Sequence, residues 1–275
     1  MKPFTTHDGL MLEYRIEGEG QPLLCLPGLT RNLNDFDELA AAMRGEAQVI
    51  RLSMRGRGGS DRAADFHSYN IVQEARDTVE FMDFLGLEKA TVIGTSRGGF
   101  NAMVIAATAP ERLAGVLLND IGPELAAAGI AKIMDYVGKP PEATNLATLV
   151  DGIRAEMGAA FPDLDDAKWE VLAKRWFAVS DSGVALNYDP GIGAAMHAQA
   201  KGEAPDLWGL FDLMAAVPLA LLRGENSDLL SRETAAKMQA RRPDMLFADV
   251  PNRGHIPLLD EPESLDTIRR LLALA

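Results

Sequence analysis

The sequence predicts an α/β fold in which a mostly parallel sheet is flanked by helices and interrupted by a helical insertion. Three observations predict it. Strand-like apolar runs alternate with helix-like runs from about residue 10 to residue 119, the pattern that builds a parallel sheet with helices on both faces. The alternation stops between about 123 and 206, where helical patterns continue without a convincing strand, and it resumes at 218. Between one strand and the next helix lies Gly94-Thr95-Ser96-Arg97-Gly98, a G-x-S-x-G pentapeptide in the context of a nucleophile elbow.

Each element has a local reason. Leu10 to Ile16 alternates apolar and polar residues, as one strand of an antiparallel N-terminal hairpin does. Pro22 to Leu26 is a continuous apolar run closed by Pro27-Gly28, the signature of a strand buried on both faces. Asn34 to Met43 reads as a helix with Asn34 as its N-cap and Gly45 as its stop. Gln48 to Leu52 is a strand that runs into the glycine-rich loop from Met54 to Asp61. Tyr69 to Leu85 carries Ile71, Val72, Ala75, Val79, Met82 and Leu85 at helical spacing, and Gly86 ends it. Ala90 to Ile93 is the strand before the serine motif, Phe100 to Ala109 the helix after it, and Gly115 to Asn119 the next strand. Beyond the insertion, Pro218 to Leu222 and Met245 to Val250 read as strands, with helices from about Arg232 to Gln239 and from Glu263 onward. Residues 1–122 and 207–275 therefore form the expected core, and 123–206 a helical cap.

Composition narrows the function classes. The chain has 275 residues, 47% apolar and 24% charged, a globular balance with enough length for a sizeable core. Its net charge of −13 repels phosphate backbones and anionic lipid, so neither a nucleic acid nor a membrane is expected as partner. Cys25 is the only cysteine and sits in an apolar strand, where a thiol serves as core filling. The first residues lack the apolar segment of a signal peptide, and no apolar run approaches the ~18 residues of a membrane span. A cytoplasmic enzyme acting on a small molecule is the expectation. The oligomeric state is left open, a homodimer included.

The chemistry centres on Ser96. Gly94 and Gly98 remove the Cβ atoms that would crowd the turn, and Ser96 is forced into a strained conformation with its hydroxyl exposed. The following helix aims its N-terminal N–H groups at the site. A serine needs a base, and the base needs an orienting group. Of the four histidines, His7 falls in the N-terminal hairpin, His67 in a loop and His197 in the insertion. His255 follows the strand at 245–250 within Gly254-His255-Ile256-Pro257, at a strand's C-terminal end, where sites in parallel sheets gather. Two acids satisfy the chain order serine, acid, histidine. Asp228, after the strand ending at Leu222, is the preferred one; Asp120, after Asn119, is the alternative, and Glu225 ranks third. The oxyanion donors are expected to be the backbone N–H groups of Arg97 and Leu29, since Pro27 has no N–H.

This set of motifs resembles the α/β-hydrolase superfamily. The resemblance covers nearly the whole chain and rests on Leu26-Pro27-Gly28-Leu29, Arg55-Gly56-Arg57-Gly58-Gly59-Ser60, Gly94-Thr95-Ser96-Arg97-Gly98-Gly99, Arg223-Gly224 through Asp228, and Gly254-His255. It implies an eight-stranded, mostly parallel sheet, a serine–acid–histidine triad and no cofactor. The chain departs from many members in having Pro27-Gly28 where they have His-Gly. Ser96 stands where related haloalkane dehalogenases and epoxide hydrolases have aspartate, which argues against both activities.

The reading is a serine hydrolase of a small or medium apolar carboxylic ester. The alternatives are a carbon–carbon bond hydrolase of ring-fission products or a lactonase, and a non-catalytic ligand receptor. No H-x-H or H-E-x-x-H pairing is present, so no metal is expected. Arg31 and Arg97 either receive a substrate carboxylate or pin loops through salt bridges. Among the apolar residues of the insertion, Trp169 and Trp176 are candidates to line the pocket.

Overall fold

The computed structural model describes residues 3–202 and 206–275. Seven strands form the central sheet: β3 (Tyr14–Glu17), β4 (Gln21–Leu26), β5 (Ala47–Leu52), β6 (Ala90–Thr95), β7 (Leu113–Asn119), β10 (Leu219–Gly224) and β11 (Leu246–Val250). They lie in the order β11-β10-β7-β6-β4-β5-β3. Every neighbouring pair is parallel except β3 with β5. The N-terminal β1 (Phe4–Thr5) and β2 (Met11–Leu12) pair with each other in a separate antiparallel ladder. The sheet thus has seven strands among the described residues, not the eight that the family resemblance implies. Leu10 to Ile16 divides between two ladders, so the alternating run is two short strands rather than one.

The central strands are apolar on both faces because both faces are covered. In β4, Leu24 and Leu26 face one layer and Leu23 and Cys25 the other, all four fully buried. The first layer packs against α2 (Ile71–Leu85) through Phe81 and Met82, α3 (Arg97–Thr108) through Ala102 and Met103, and α9 (Arg232–Arg241) through Met238. The second packs against α1 (Asp37–Met43) through Leu39 and Met43 and α10 (Pro262–Leu272) through Ile268 and Leu271. Burial pushes the Cys25 thiol pKa up, which suits a structural residue.

Local signals end the elements. Asn70 caps α2, its side chain accepting from the Gln73 N–H, and Gly86 stops it with φ of 69°. Asn34 does not serve as expected. A short 3₁₀ turn precedes α1, and Asn32 is the capping residue, accepting from the Asn34 N–H.

Between β7 and β10 run α4 (Ala127–Tyr136), α5 (Leu146–Met157), α6 (Asp166–Trp176), α7 (Gly191–Gln199) and α8 (Trp208–Asp212). This stretch also holds a hairpin, β8 (Phe177–Ser180) paired with β9 (Gly183–Leu186), where the sequence reading expects no strand. Its own core joins α5 and α6 through Leu149, Ile153, Trp169 and Leu172. No helix among the described residues is long and apolar enough to cross a membrane.

The loops after β10 and β11 touch through bare backbone. A Cβ on Gly224 would lie 2.3 Å from the Gly254 carbonyl oxygen and 2.6 Å from that of Arg253. Gly224→Ala is therefore expected to destabilise the fold by roughly 1–3 kcal/mol through overpacking, read as a lower urea midpoint. An unchanged midpoint would show that the two loops have room to part.

Candidate active site

Ser96 lies at the junction of β6 and α3 with φ of 49° and ψ of −117°. Few non-glycine residues adopt a positive φ, and such strain persists only where the surroundings enforce it. Here they do. A Cβ on Gly98 would lie 2.2 Å from the Leu26 carbonyl oxygen, and one on Gly94 would lie 2.5 Å from Gly99 Cα. The Ser96 N–H donates to the Asn119 carbonyl at 3.0 Å, and its carbonyl accepts from the Gly99 N–H at 2.8 Å. The turn is fixed from both sides.

Three side chains meet at the C-terminal edge of the sheet. His255 Nε2 is 2.9 Å from Ser96 Oγ, and His255 Nδ1 is 2.7 Å from Asp120 Oδ2. With the Nδ1 proton directed at the carboxylate, Nε2 is the acceptor for the serine hydroxyl, a tautomer assigned from the network. Asp120 is fully buried and its remaining acceptor capacity is used. Oδ1 accepts from the Gly224 N–H at 2.8 Å, and Oδ2 also accepts from Ser227 Oγ–H at 2.6 Å. Its backbone stands at φ of 55°, with the N–H donating to Leu222 at 2.8 Å.

The preferred acid of the sequence reading, Asp228, is elsewhere. Its half-exposed carboxylate pairs with Lys132. The reason lies in the strand order. β7 sits between β6 and β10, so the residue after β7 lies beside the end of β6, which Ser96 follows. The chain after β10 is drawn toward the histidine loop by its own backbone: Glu225 N–H donates to Val250 at 2.9 Å and Asn226 N–H to Arg253 at 2.8 Å. Ser227 then faces Asp120, and Asp228 turns outward. Glu225 is exposed and accepts from the Asn252 N–H at 3.3 Å. The other histidines are apart from the serine: His7 pairs with Glu80 at 3.0 Å, His67 stacks on Phe66, and His197 is exposed on α7.

The two expected oxyanion donors flank the serine. Arg97 is the first residue of α3, so its N–H has no partner within the helix. The loop carrying Leu29 passes close by, since a Cβ on Gly28 would lie 3.7 Å from Ser96 Cβ. Neither N–H has a hydrogen-bond partner among the described residues.

A buried ionic cluster holds both segments; the sequence reading offers a loop-pinning salt bridge for Arg97 but does not single out its partner acid. Glu74 on α2 is fully buried. It accepts from Arg57 Nη2 at 3.0 Å, from Arg97 Nε at 2.8 Å and from Asn101 Nδ2 at 3.3 Å. Arg57 Nε also donates to the Leu29 carbonyl. Burial by itself would raise the Glu74 pKa, but the Arg57 and Arg97 charges and the hydrogen bonds hold it at about 2. The Arg97 guanidinium is thus committed to a structural pair. The signal in the sequence was an acid on the apolar side of α2, one residue before Ala75.

Arg31, Trp176 and His255 line one cavity, together with Phe161, Leu172 and Leu258. The Arg31 guanidinium carbon lies 3.6 Å from the Trp176 ring centroid. Trp169 is not part of this lining. It is almost fully buried and packs edge-on against Phe161 at 6.1 Å. Only one group among the described residues gathers donors as a metal site would, His7, Asp8 and Asp77. The Arg55 guanidinium already occupies both of its carboxylates, at 2.6–2.7 Å to Asp77 and 3.0–3.1 Å to Asp8.

The comparisons agree with this architecture. A family model described as alpha/beta hydrolase fold matches residues 21–262. The chain belongs to the alpha/beta hydrolase fold family. It is 33% identical over 254 residues to a 3-hydroxybutyrate-oligomer hydrolase of Cupriavidus necator, covering 88% of this chain and 85% of that protein. It is 24% identical over 246 residues to a 2-(acetamidomethylene)succinate hydrolase of Mesorhizobium japonicum, covering 90% of this chain and 85% of that one. The crystal structure of an alpha/beta hydrolase from Novosphingobium aromaticivorans superposes with a TM-score of 0.93 at 40% identity, covering 100% of this chain and 98% of that chain. These relatives support a general hydrolase role for the chain.

Two expectations follow. Asp120→Asn should lower kcat by on the order of 10⁴-fold, as loss of the orienting carboxylate does, while Asp228→Asn should change it by less than about twofold; the reverse ranking would restore Asp228. The second concerns acid. A carboxylate held near 2 stabilises the fold above its ordinary pKa of 4.5 and loses that contribution as pH falls toward 2. Glu74→Gln should therefore cost about 3–5 kcal/mol in urea unfolding at pH 7 and measurably less at pH 3. A gap independent of pH would contradict the ionic reading.

Proposed function

We propose that this hydrolase is a serine hydrolase that cleaves short to medium carboxylic esters through an acyl-enzyme. The observation that carries the proposal is the continuous hydrogen-bond path from Ser96 Oγ through His255 to Asp120, at 2.9 Å and 2.7 Å. In this scheme Ser96 Oγ attacks the ester carbonyl as His255 Nε2 takes its proton. Asp120 holds the Nδ1–H and stabilises the imidazolium. The carbonyl oxygen, now negative, sits between the N–H groups of Leu29 and Arg97, each worth roughly 100- to 1,000-fold in rate. The tetrahedral intermediate collapses, and the alcohol leaves with the proton from His255. Water then attacks the acyl group, gives its proton to Nε2, and the acid departs as Ser96 is reprotonated.

The cavity beside His255 supports an apolar acyl group, since Met157, Phe161, Leu172 and Leu258 line it. Met157, Phe161, Leu172 and Trp176 come from the stretch 123–206, which we read as a cap over the site. The name of the Cupriavidus necator relative, a hydrolase of hydroxy-acid oligomers, is compatible with short ester bonds as the target.

A fluorophosphonate ester is the direct probe. The expected result is one adduct on Ser96, with turnover of 4-nitrophenyl butyrate lost in parallel and no adduct on Ser96→Ala. Full esterase activity in protein that the phosphonate has left unlabelled would overturn the proposal. A panel with a lactone and a ring-fission dienoate ranks the substrates.

A further inference from the structure

The arginines around this site divide into those that are committed and one that is not. Arg57 and Arg97 are paired with Glu74, Arg175 with Glu38 at 2.7 Å, and Arg253 with Glu261 at 2.8 Å. Arg31 is half-buried and lines the same cavity as His255. Its guanidinium forms no hydrogen bond or ion pair among the described residues. Its central carbon lies over the Trp176 ring, 3.6 Å from the centroid, an attraction that holds the guanidinium in place without using its N–H donors. The acid of the lining, Asp35, accepts from Trp176 Nε1–H at 3.1 Å and forms no direct ion pair with Arg31; burial raises its pKa, and the Arg31 charge, acting through space, opposes that rise without occupying the guanidinium N–H groups.

The position relative to the nucleophile matters. The point where Gly28 would carry a Cβ is 3.4 Å from Arg31 Cγ and 3.7 Å from Ser96 Cβ. The arginine stem and the serine thus flank the same glycine. A substrate whose carbonyl rests on Ser96 brings groups a few bonds away into the space beside Arg31.

We propose that Arg31 is the receptor for a carboxylate carried by the substrate, so that the preferred ester is a short one with a free acid group. This rests on the serine-ester reading above. A partly desolvated guanidinium in a largely apolar cavity has given up water, and a carboxylate restores two charge-assisted hydrogen bonds at once. A neutral ester of the same length leaves those donors unpaired. The long-range field of a chain with net charge −13 disfavours anions, so the preference has to arise locally, at a group held in place. Trp176 supplies that hold.

The test separates this claim from catalysis by measuring binding in protein that cannot turn over. Monomethyl glutarate and dimethyl glutarate are titrated by calorimetry into Ser96→Ala protein, alone and combined with Arg31→Gln or Arg31→Lys. The expected result is that the half-ester binds at least about tenfold more tightly than the diester, the range of a charged hydrogen-bonded contact. Arg31→Gln should erase that difference and leave diester binding unchanged, and Arg31→Lys should retain part of it. Equal binding of the two ligands, binding of neither, or an equal loss of both in Arg31→Gln would overturn the assignment; the last would mark Arg31 as a prop for Trp176. Thermal unfolding of each variant shows that it is folded. If Ser96 in the unmutated protein resists the phosphonate while the half-ester preference stands, the ester chemistry fails and the carboxylate receptor does not.

Discussion

The left-handed backbone at Ser96 is the constraint on which the rest of the site depends. An isolated serine would not stay at φ of 49°. It stays because β6, α3 and the end of β4 close around it at distances that admit no Cβ at Gly94 or Gly98. The sheet therefore does more than carry the serine. Burial of Leu23 to Leu26 on both faces fixes β4 against β6, and the carbonyl of Leu26 then fixes the elbow. Core packing is converted into the direction of one hydroxyl, and the strain is held by apolar contacts some distance from the chemistry.

Charge provides the second level of organisation. Glu74 is the one buried acid among the described residues that two arginines share, and each arginine belongs to a different wall of the site. Arg97 follows Ser96, and Arg57 holds the Leu29 carbonyl. A carboxylate in that position is costly unless every oxygen is bonded. Here the surrounding donors exceed what burial removes. On the opposite side Glu38 takes Arg175 and Lys168 from α6, which ties the inserted stretch to the start of α1. Arg31 stands out against this pattern because its guanidinium makes no direct hydrogen bond or ion pair among the described residues.

Much of the fold and part of the site were legible in the sequence, for reasons that can be named. Doubly covered strands are continuous apolar runs, so β4, β6, β7 and β10 were readable from composition alone. Ser96 and His255 are readable because each follows a strand and has glycine within two residues. The acid was not, because Asp120 and Asp228 both satisfy the chain order; only the placement of β7 between β6 and β10 separates them. The hairpin β8–β9 was missed because each strand has only four residues, too few for a periodicity to show. Trp169 and Trp176 lie two turns apart on α6 and look alike in sequence. Their difference is axial: the first meets Phe161 in a local core, and the second, at the helix end, reaches the cavity. The eighth strand came from the family resemblance, and in this chain the first residues pair among themselves.

The proposed chemistry requires that Ser96 form a covalent bond with the acyl half of an ester. Rapid quenching of the enzyme with 4-nitrophenyl butyrate, followed by intact-protein and peptide mass spectrometry, tests this most directly. The expected result is a transient mass increase of one butyryl group on the peptide containing Ser96, with a matching burst of nitrophenol, and neither signal in Ser96→Ala. Steady release of nitrophenol with no acylated peptide at any time, or with the acyl group on another residue, would contradict it.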